Sequence, residues 1–369
     1  MKLLFISSKH IKHATFVRQQ ATWLRPAGLL YEGYKPYLYN GKSIFPFPLR
    51  LNIIRIMVKN LIAPLYEQLY NNALFRFLEK NKFDVTLCHY GPQGANIIDA
   101  CHRANVPVVV HFHGYDAFMH ETIKKYAEAY RNMFAKASYI IAVSEDMRKQ
   151  LIRLGAPADK VILRPCGVNT KLFTNAQPAM NGKTLIFVGR FTAKKDPVSL
   201  LKAFHFARQS VPDAKLVMVG KGELHQLVLK TIDELNLQNS VEILGWQKPE
   251  EVARRMQQAR AYVQHSVFAP DGDSEGSPVS IVEAAGCGLP VISTRHAGIK
   301  ESVIEGVTGY LVDEGDWRGM GEYMITLLNE PELAEKMGQA GRRHILENYA
   351  VEQQMGKIQE ILEKARKIK

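Results

Sequence analysis

The stretch TLIFVGRFTAKKDP at residues 184–197 decides the fold of this chain. Its first five residues form an apolar run that is typical of a buried strand, and a glycine and three cations follow. The same succession of apolar run, loop and helical pattern of about ten or more residues recurs along the chain. Because most runs are apolar on both faces, the sequence predicts an α/β protein built on covered parallel sheets.

The predicted strands form two series, one in each half of the chain. With 369 residues the chain exceeds what one hydrophobic core usually serves, so we expect two doubly wound domains. The first series is Lys2–Ser7, Lys35–Tyr39, Asp84–His89, Pro107–Phe112, Tyr139–Val143 and Val161–Pro165. The second is Thr184–Val188, Lys215–Val219, Val241–Leu244, Ala261–Gln264, Pro290–Ser293 and Gly309–Val312.

A polar segment containing proline and glycine, Thr174–Gly182, lies between the two series and has the composition of a linker. We therefore predict an N-terminal domain over residues 1–172 and a C-terminal domain over residues 173–350. Residues 351–369 follow as a charged amphipathic helix.

Composition indicates an ordinary globular protein, with 46% hydrophobic and 23% charged residues. No apolar stretch approaches the roughly 18 residues of a membrane-spanning helix, and we interpret Met1–Ser8 as a first strand, not a signal peptide. The four cysteines lack CxxC spacing and lie in apolar segments, which predicts buried, reduced thiols in a cytoplasmic protein.

Net charge is unevenly divided. Residues 1–172 hold 24 Lys+Arg and 11 Asp+Glu, a net of +13, whereas the whole chain carries +12. This asymmetry favours an acidic partner for the first half, either an anionic membrane surface or a nucleic acid.

Two glutamates eight residues apart, Glu275 and Glu283, form the strongest pattern in the sequence. Ser277 followed by Pro278 predicts a helix start, with a hydroxyl N-cap and proline at the first helical position. The amides at such a start suit a phosphate. At 1.5 Å per residue, the glutamates lie roughly 8 Å apart along the axis, about the span of a diphosphate with a sugar at each end. Carboxylates accept hydrogen bonds from vicinal diols, so we expect Glu275 to hold one sugar and Glu283 a ribose.

Cations and glycines follow other strands of the second half. Arg190 and Lys195 lie on the loop after Thr184–Val188, which we expect to be exposed, and they can bracket a diphosphate as it leaves. Gly189 precedes them, and Gly220 lies in a turn that permits close approach of backbone to a ligand.

A histidine pair, His111 and His113, lies at the end of the strand Pro107–Phe112, with Asp116 three residues after His113. A metal site is one interpretation. We instead expect the two rings to point to opposite faces, with His111 buried and His113, next to Gly114, facing the ligand, and no metal bound.

These residues together resemble the retaining glycosyltransferase family 4 of the GT-B fold. The Phe112–Asp116 stretch is similar to that of bacterial exopolysaccharide and colanic-acid-type transferases. The resemblance implies two Rossmann-like, doubly wound domains facing each other across a cleft. It also implies metal-independent hexosyl transfer with retention, an acceptor-side first domain, a donor-binding second domain and a final helix crossing back to the first. A nucleotide diphosphate sugar, UDP- or GDP-linked, would serve as donor, with no other cofactor.

The resemblance also implies roles for individual residues. Arg190 and Lys195 would contact the diphosphate, Glu275 the donor sugar and Glu283 the ribose, while His113 would lie near the reacting centre. The neighbouring Gly189, Gly220, Gly276, Ser277 and Pro278 complete the predicted donor site.

The chain departs from the family pattern in two loops. The usual glycine pair after the first strand is replaced by Ser8–Ala14, for which we assign no role. The usual glycine after the diphosphate lysine is replaced by Asp196-Pro197, which leaves the loop's shape open.

Two other functions stay open at this point. A nucleotide-sugar epimerase of the same fold would use the same donor site. A basic nucleic-acid-binding protein would use the positive first half, although a zinc pattern and a recognisable reading helix are missing from the sequence. The function favoured is transfer to a hydroxyl of a glycan or lipid-linked acceptor in cell-surface polysaccharide synthesis, without nucleic acid.

Membrane contact is a further expectation. Apolar residues of Pro48–Tyr66 project as one broad stripe, opposite to cations such as Arg55 and Lys59. The stripe either packs into the first domain or lies in the headgroups of an anionic membrane at the inner face of the cell membrane. Sedimentation with anionic and neutral vesicles distinguishes the two, because only the second gives binding that depends on anionic lipid and salt.

Overall fold

The computed structural model describes residues 1–8, 15–45, 63–174 and 176–368. The chain divides into two compact units. The first unit comprises Met1–Pro165 and Met355–Lys369, and the second comprises Cys166–Gln354. The loop Lys9–Ala14 and most of the amphipathic segment Pro48–Tyr66 lie outside the described residues.

The first unit contains an eight-stranded sheet within its described residues. Its order is β4-β3-β2-β1-β5-β6-β7-β8, with β1, β2 and β5 to β8 parallel and the short β3 and β4 antiparallel at one edge. The strands are β1 Leu3–Ile6, β2 Gly28–Tyr31, β3 Leu38–Tyr39, β4 Lys42–Ser43, β5 Val85–His89, β6 Val108–His111, β7 Tyr139–Ala142 and β8 Val161–Leu163.

The second unit contains a six-stranded, all-parallel sheet of order β11-β10-β9-β12-β13-β14. Counted in chain order within the sheet this is 3-2-1-4-5-6, the order of doubly wound nucleotide-binding folds. The strands are β9 Thr184–Val188, β10 Lys215–Val219, β11 Val241–Gly245, β12 Ala261–Val263, β13 Val291–Thr294 and β14 Gly309–Val312.

Helices cover both sheets. In the first unit they are α1 Thr15–Leu24, α2 Ala63–Asn81, α3 Gly91–Arg103, α4 Tyr115–Phe118, α5 His120–Lys136 and α6 Glu145–Arg153. In the second they are α7 Pro197–Ser210, α8 His225–Glu234, α9 Pro249–Gln257, α10 Val279–Cys287, α11 Ile299–Ser302, α12 Trp317–Asn329 and α13 Pro331–Asn348. The last helix, α14 Val351–Arg366, has its first turn in the second unit and the rest in the first.

The strand β9 shows why its apolar run forms a central strand. Leu185 and Phe187 lie in the core on one face of the sheet, and Ile186 lies in the core on the other. Successive side chains of a strand point to opposite faces, so a strand covered on both faces must be apolar throughout.

Side-chain caps mark several helix starts. Ser144 accepts a hydrogen bond from the Met147 amide at α6, at 3.3 Å, and Asp316 accepts one from the Gly319 amide at α12, at 2.9 Å. Each supplies an acceptor for an amide that has none within its own helix.

The first sheet differs from the sequence prediction in two strands. The strand Gly28–Tyr31 was not predicted, because glycine weakens a strand pattern. Here Gly28 leaves room for the Tyr39 ring, which would lie 2.2 Å from an added Cβ. The predicted strand Lys35–Tyr39 shrinks to Leu38–Tyr39, and it runs antiparallel to its neighbour.

The predicted linker and boundary are also displaced. Ala176 donates its amide to the Cys287 carbonyl, and the Asn181 side chain donates to the Ala259 carbonyl, so most of Thr174–Gly182 packs as part of the second unit. Residues up to Leu172 belong there as well, because Val168 bridges to Ala350. The boundary therefore falls at Pro165, not at residue 172.

The four cysteines, Cys88, Cys101, Cys166 and Cys287, are buried free thiols, as predicted. Among the described helices none is both long enough and apolar enough to span a bilayer.

Two helical glycines give a matched test of packing. An added Cβ at Gly338, in α13, would lie 1.9 Å from the Gly288 carbonyl oxygen, whereas at Gly356, in α14, it would meet nothing within 4 Å. We expect Gly338→Ala to destabilise by about 1–3 kcal/mol through overpacking. Gly356→Ala should stabilise by up to about 1 kcal/mol, since alanine favours a helix over glycine. Urea midpoints measure both, and a Gly338→Ala midpoint at or above wild type would contradict this packing.

Candidate active site

The candidate site lies beyond the carboxyl ends of the strands of the second unit. The order of the sheet reverses between β9 and β12, and ligands of open α/β sheets bind at such a switch point. The loops after β9 and β12 carry most of the predicted donor residues.

The loop after β9 brings Lys195 back over the glycine that ends the strand. Lys195 closes a short 3-10 turn, Ala193–Lys195, and its aliphatic chain lies against Gly189. A Cβ at Gly189 would lie 2.8 Å from Lys195 Cδ. Gly189 is therefore required so that the lysine can cross the strand end.

Asp196, which stands where the resemblance led us to expect glycine, has a glycine-like backbone conformation. Its φ of 32° and ψ of 63° are left-handed, which Asp tolerates better than most residues. The carboxylate caps α7 by accepting from the Ser199 amide at 3.1 Å, and Pro197 starts that helix. The substitution thus keeps a glycine-like loop and adds a cap.

The second carboxylate oxygen of Asp196 lies 3.2 Å from Nδ1 of the buried His265. Nε2 of the same ring accepts from the Gly315 amide at 3.2 Å, so a neutral His265 carries its proton on Nδ1, facing Asp196. Burial raises the pKa of Asp196, but its hydrogen bonds from His265 and Ser199 outweigh burial and lower it overall.

Lys195 and Glu275 form a buried ion pair. Lys195 Nζ lies 2.9 Å from Glu275 Oε1, and the two side chains are only 12% and 8% exposed. Burial raises the pKa of Glu275, but the positive charges of Lys195 and Lys194 outweigh it and lower the pKa to about 2. Glu275 is therefore ionised throughout the neutral range, whereas burial lowers the pKa of Lys195 against the attraction of Glu275.

The expectation that the loop cations are both exposed is wrong for Lys195 and holds for Arg190. Arg190 is exposed and makes no hydrogen bond or ion pair within the described part of the chain. Lys194 is also largely buried, with Nζ 3.1 Å from Asp273 Oδ1. Two lysines thus tie the β9 loop to the β12 loop, and one arginine is left to solvent.

A glutamine connects the ion pair to the start of α10. Gln264 Oε1 accepts from Lys195 Nζ at 3.2 Å and from the Tyr262 hydroxyl at 2.8 Å. The Tyr262 and Ser280 hydroxyls lie 2.9 Å apart, and Ser280 is in the first turn of α10. This network was not predicted from the sequence, although a glutamine at the end of a buried strand is itself a signal of a polar site.

A buried histidine fixes the backbone of Glu275. His296 Nε2 accepts from the Glu275 amide at 3.2 Å, and its Nδ1 lies 2.6 Å from Glu314 Oε1. Because Nε2 is an acceptor, the ring proton of a neutral His296 is on Nδ1 and faces the carboxylate. His296 and Glu314 follow β13 and β14, and they too were missed, since they are far from Glu275 in sequence.

The predicted start of α10 is displaced by one residue. The helix begins at Val279, with Pro278 at the N-cap and no side-chain cap. Ser277 does not cap the helix, because its hydroxyl accepts from the Cys166 amide at 3.4 Å instead. Gly276 is buried beside Glu275. The first amides of α10, which lack intrahelical acceptors, remain available to an anion.

Glu283 lies in the second turn of α10, half-buried among apolar residues. It makes no hydrogen bond or ion pair with the residues that the structure describes. Burial raises its pKa to about 8. A carboxyl group with a raised pKa and no partner in the described chain is typical of a functional site.

The glycine turn after β10 packs tightly on the β9 loop. An added Cβ at Gly220, where φ is 146°, would lie 1.9 Å from the Gly189 carbonyl, and one at Gly222 would lie 2.3 Å from the Phe191 carbonyl. These glycines shape the loop that carries Arg190.

In the first unit, the prediction that His111 and His113 face opposite ways is wrong. Alternate residues of an extended chain lie on the same face, and the two ring centroids are 4.3 Å apart. His89, at the end of β5, joins them, with Nδ1 2.9 Å from His113 Nε2. Burial lowers the pKa of all three, that of His111 to about 3, so the rings are neutral at pH 7.

Asp116 has a structural role next to these rings. Its carboxylate accepts from the amides of Gly91, His113 and Gly114, at 3.0, 3.0 and 2.8 Å. These bonds fix the loop that positions the His113 ring and compensate the burial of the charge.

Two sequence models of known families match the chain. The one described as "Glycosyltransferase Family 4" matches residues 33–172, and the one described as "Glycosyl transferases group 1" matches residues 169–344. The chain belongs to this glycosyltransferase family. The matches do not favour an epimerase or a nucleic-acid-binding protein.

Individual relatives are more distant. The chain is 29% identical to the amylovoran biosynthesis glycosyltransferase AmsK of Erwinia amylovora, over 66% of this chain and 61% of that protein. It is 28% identical to the putative colanic acid biosynthesis glycosyltransferase WcaL of Escherichia coli, over 68% of this chain and 63% of the relative. The matched region is thus about three fifths of the length of these relatives.

Solved structures with the same fold span the chain. A crystal structure of Anabaena HepE in complex with UDP-glucose has a TM-score of 0.75 at 18% identity and covers 99% of this chain and 100% of its own. Sucrose-phosphate synthase from Thermosynechococcus elongatus has a TM-score of 0.77 at 18% identity, covering 100% and 99%. The fold is GT-B, with a Rossmann-like sheet in each unit.

The raised pKa of Glu283 predicts a pH dependence of stability. Between its ordinary pKa of 4.5 and the folded value of about 8, the folded state binds more protons than the unfolded state. Stability therefore falls as pH rises through this window. Glutamine imitates the protonated form, so Glu283→Gln should match wild type near pH 5 and exceed it at pH 9, by on the order of a few kcal/mol.

Thermal melting at the two pH values measures the difference. Glu322→Gln, which changes an exposed glutamate of α12, is the control and should shift neither melt. A constant difference between Glu283→Gln and wild type across the range would show that Glu283 is not held neutral.

Proposed function

We propose that the protein is a retaining glycosyltransferase that moves a hexose-type sugar from a nucleoside diphosphate donor to a hydroxyl of a glycan or lipid-linked acceptor. The observation that carries the proposal is the arrangement at the switch point of the second sheet. There the buried Lys195–Glu275 pair joins the loops after β9 and β12, Arg190 lies exposed on the β9 loop, and α10, which follows the β12 loop, carries the unpartnered Glu283.

The diphosphate is assigned to the cations and the helix start. Arg190 is unpaired and exposed, so it can turn to a phosphate without breaking an existing contact. Lys195 already holds its ammonium group at a fixed position beside Glu275. Charge on the departing diphosphate is then stabilised by groups that need little reorganisation, which is the usual source of such catalysis.

The sugar and the ribose are assigned to the two glutamates. Glu275 is ionised and its amide is held by His296, so it presents acceptors at a fixed place to the donor sugar. Glu283 lacks a partner within the described chain and suits the ribose diol. His113 is assigned to the donor sugar on family resemblance alone.

Transfer without a metal ion follows from the same assignment, because Lys195, Arg190 and the α10 amides supply the positive charge that a divalent ion would otherwise supply. Retention and metal independence are tested together. The anomeric configuration of the product is read by NMR, and added chelator should leave turnover unchanged.

The acceptor class is drawn from the named relatives, which act in amylovoran and colanic acid biosynthesis. We extend cell-surface polysaccharide synthesis to this chain on that likeness. Both UDP- and GDP-linked donors are retained, since one structural neighbour binds UDP-glucose and one relative is a GDP-mannose-dependent mannosyltransferase. The excess of positive charge in residues 1–172 supports a peripheral location at an anionic membrane.

Arg190→Ala tests the diphosphate assignment. Release of nucleoside diphosphate from a panel of UDP- and GDP-sugars should fall roughly 10²-fold, by analogy with the loss of one preorganised donor to developing charge. Folding should be unchanged because Arg190 is exposed and unpaired. Lys202→Ala, which removes an exposed cation of α7, is the control and should keep wild-type turnover. Equal turnover of wild type, Arg190→Ala and Lys202→Ala would contradict the assignment of Arg190 to the diphosphate.

Calorimetry with the bare nucleoside diphosphate separates the two glutamates. At pH 9, where Glu283 is ionised, Glu283→Gln should weaken binding, because the amide offers the ribose diol one acceptor oxygen where the carboxylate offers two. Glu275→Gln should bind nearly as well as wild type but transfer more slowly, because Glu275 is assigned to the sugar that the bare nucleotide lacks. Equal losses of affinity in both variants would contradict this division of roles.

A further inference from the structure

Three imidazole rings meet beyond the carboxyl ends of β5 and β6 in the first unit. The ring centroids are 5.5 Å apart for His89 and His111, 5.1 Å for His89 and His113, and 4.3 Å for His111 and His113. One nitrogen from each ring can be chosen so that the three nitrogens all lie within 4.8 Å of one another.

Several of these nitrogens have no hydrogen-bond partner in the described part of the chain. They are Nε2 of His89 and both ring nitrogens of His111, and both side chains are fully buried. A buried polar atom is normally paired with protein or with an ordered ligand, so this cluster calls for a further partner. Two imidazoles whose ring nitrogens lack hydrogen-bond partners, next to a third imidazole, favour a ligand that accepts electron pairs from nitrogen, as a metal ion does.

We propose that His89, His111 and His113 bind one Zn²⁺ ion. Zinc–nitrogen bonds of about 2.0–2.1 Å in a tetrahedral site place ligand nitrogens about 3.3 Å apart and ring centroids about 5 Å apart. The observed centroid separations bracket that value, so small rotations of the rings close the site. Imidazole ligands select zinc and similar transition metals over magnesium and calcium.

The surrounding backbone is built to hold such a site. His89 and His111 end adjacent strands that pair directly in the sheet, and the Asp116 carboxylate fixes the His113 amide at 3.0 Å. Rigid strands and a braced loop limit ring positions, which favours metal binding. Three histidines leave the fourth position open for water or another oxygen ligand.

The ion is inhibitory, not catalytic. It occupies the imidazole of His113, which the proposed function assigns to the donor sugar, so Zn²⁺ should lower transfer in wild type while chelator does not. The binding itself does not rest on the proposed function. The proposed zinc site departs from the expectation, based on the sequence, that the protein binds no metal at His111 and His113.

The experiment uses the full chain, stripped with chelator and desalted, and titrated with Co²⁺ as a spectroscopic probe. Wild type should develop the intense visible absorption of tetrahedral Co²⁺ with a stoichiometry of one, and Zn²⁺ should displace it. His111→Gln and His89→Gln should each lose affinity by about 10²-fold or more. His102→Gln, which alters an exposed histidine of α3, should bind as wild type does.

Circular dichroism checks that each variant is folded. If His111→Gln does not fold, the Co²⁺ spectrum of wild type and the Co²⁺ affinity of His89→Gln still test the proposal. A six-coordinate Co²⁺ spectrum, or undiminished affinity in the folded cluster variants, would overturn the proposal. Absence of transfer with every donor would overturn the proposed function and leave the spectroscopic result intact.

Discussion

Lys195 Nζ and Glu275 Oε1 lie 2.9 Å apart, with both side chains almost entirely removed from water. Each charge alone would be costly at that depth, since breaking a buried pair costs about 3–5 kcal/mol. Each of the two loops that carry the pair therefore constrains the other. Gly189 lets the lysine cross the strand end, Gln264 accepts a second hydrogen bond from its ammonium group, and His296 holds the amide of the glutamate. The residues of the candidate site therefore also hold this part of the fold together.

The order of the second sheet explains why these groups meet. Strands β9 and β12 are neighbours in the sheet but are separated in sequence by two strands and three helices. Their loops leave the same edge and enclose the gap where the order reverses. Residues from the β13 and β14 loops, His296 and Glu314, then approach from one side, and the Gly220 turn of β10 approaches from the other. A parallel sheet thus gathers distant residues without any need for them to be close in sequence.

Periodicity and strand-end position predicted much of this. The six strands of the second sheet were all predicted, because each is a short run apolar on both faces. Glu275, Arg190 and Lys195 were singled out as candidates because they follow such runs. The exposure of Lys195 was predicted wrongly, since a loop position does not reveal that an acid 80 residues later neutralises it. His296 and Glu314 were missed for a related reason, because each is ordinary in its own segment and acquires a role only from its partner.

At Asp196 the chain lacks the glycine that the resemblance to the family led us to expect. The pattern expects glycine, and its absence left the loop shape open, yet the backbone keeps the left-handed conformation of a glycine. Aspartate bears that conformation at modest cost because its carboxylate gains two partners, the Ser199 amide and the His265 ring. His265 is in turn fixed by the Gly315 amide. The position of Lys195, the preceding residue, is therefore held by a hydrogen-bonded brace of side chains around Asp196.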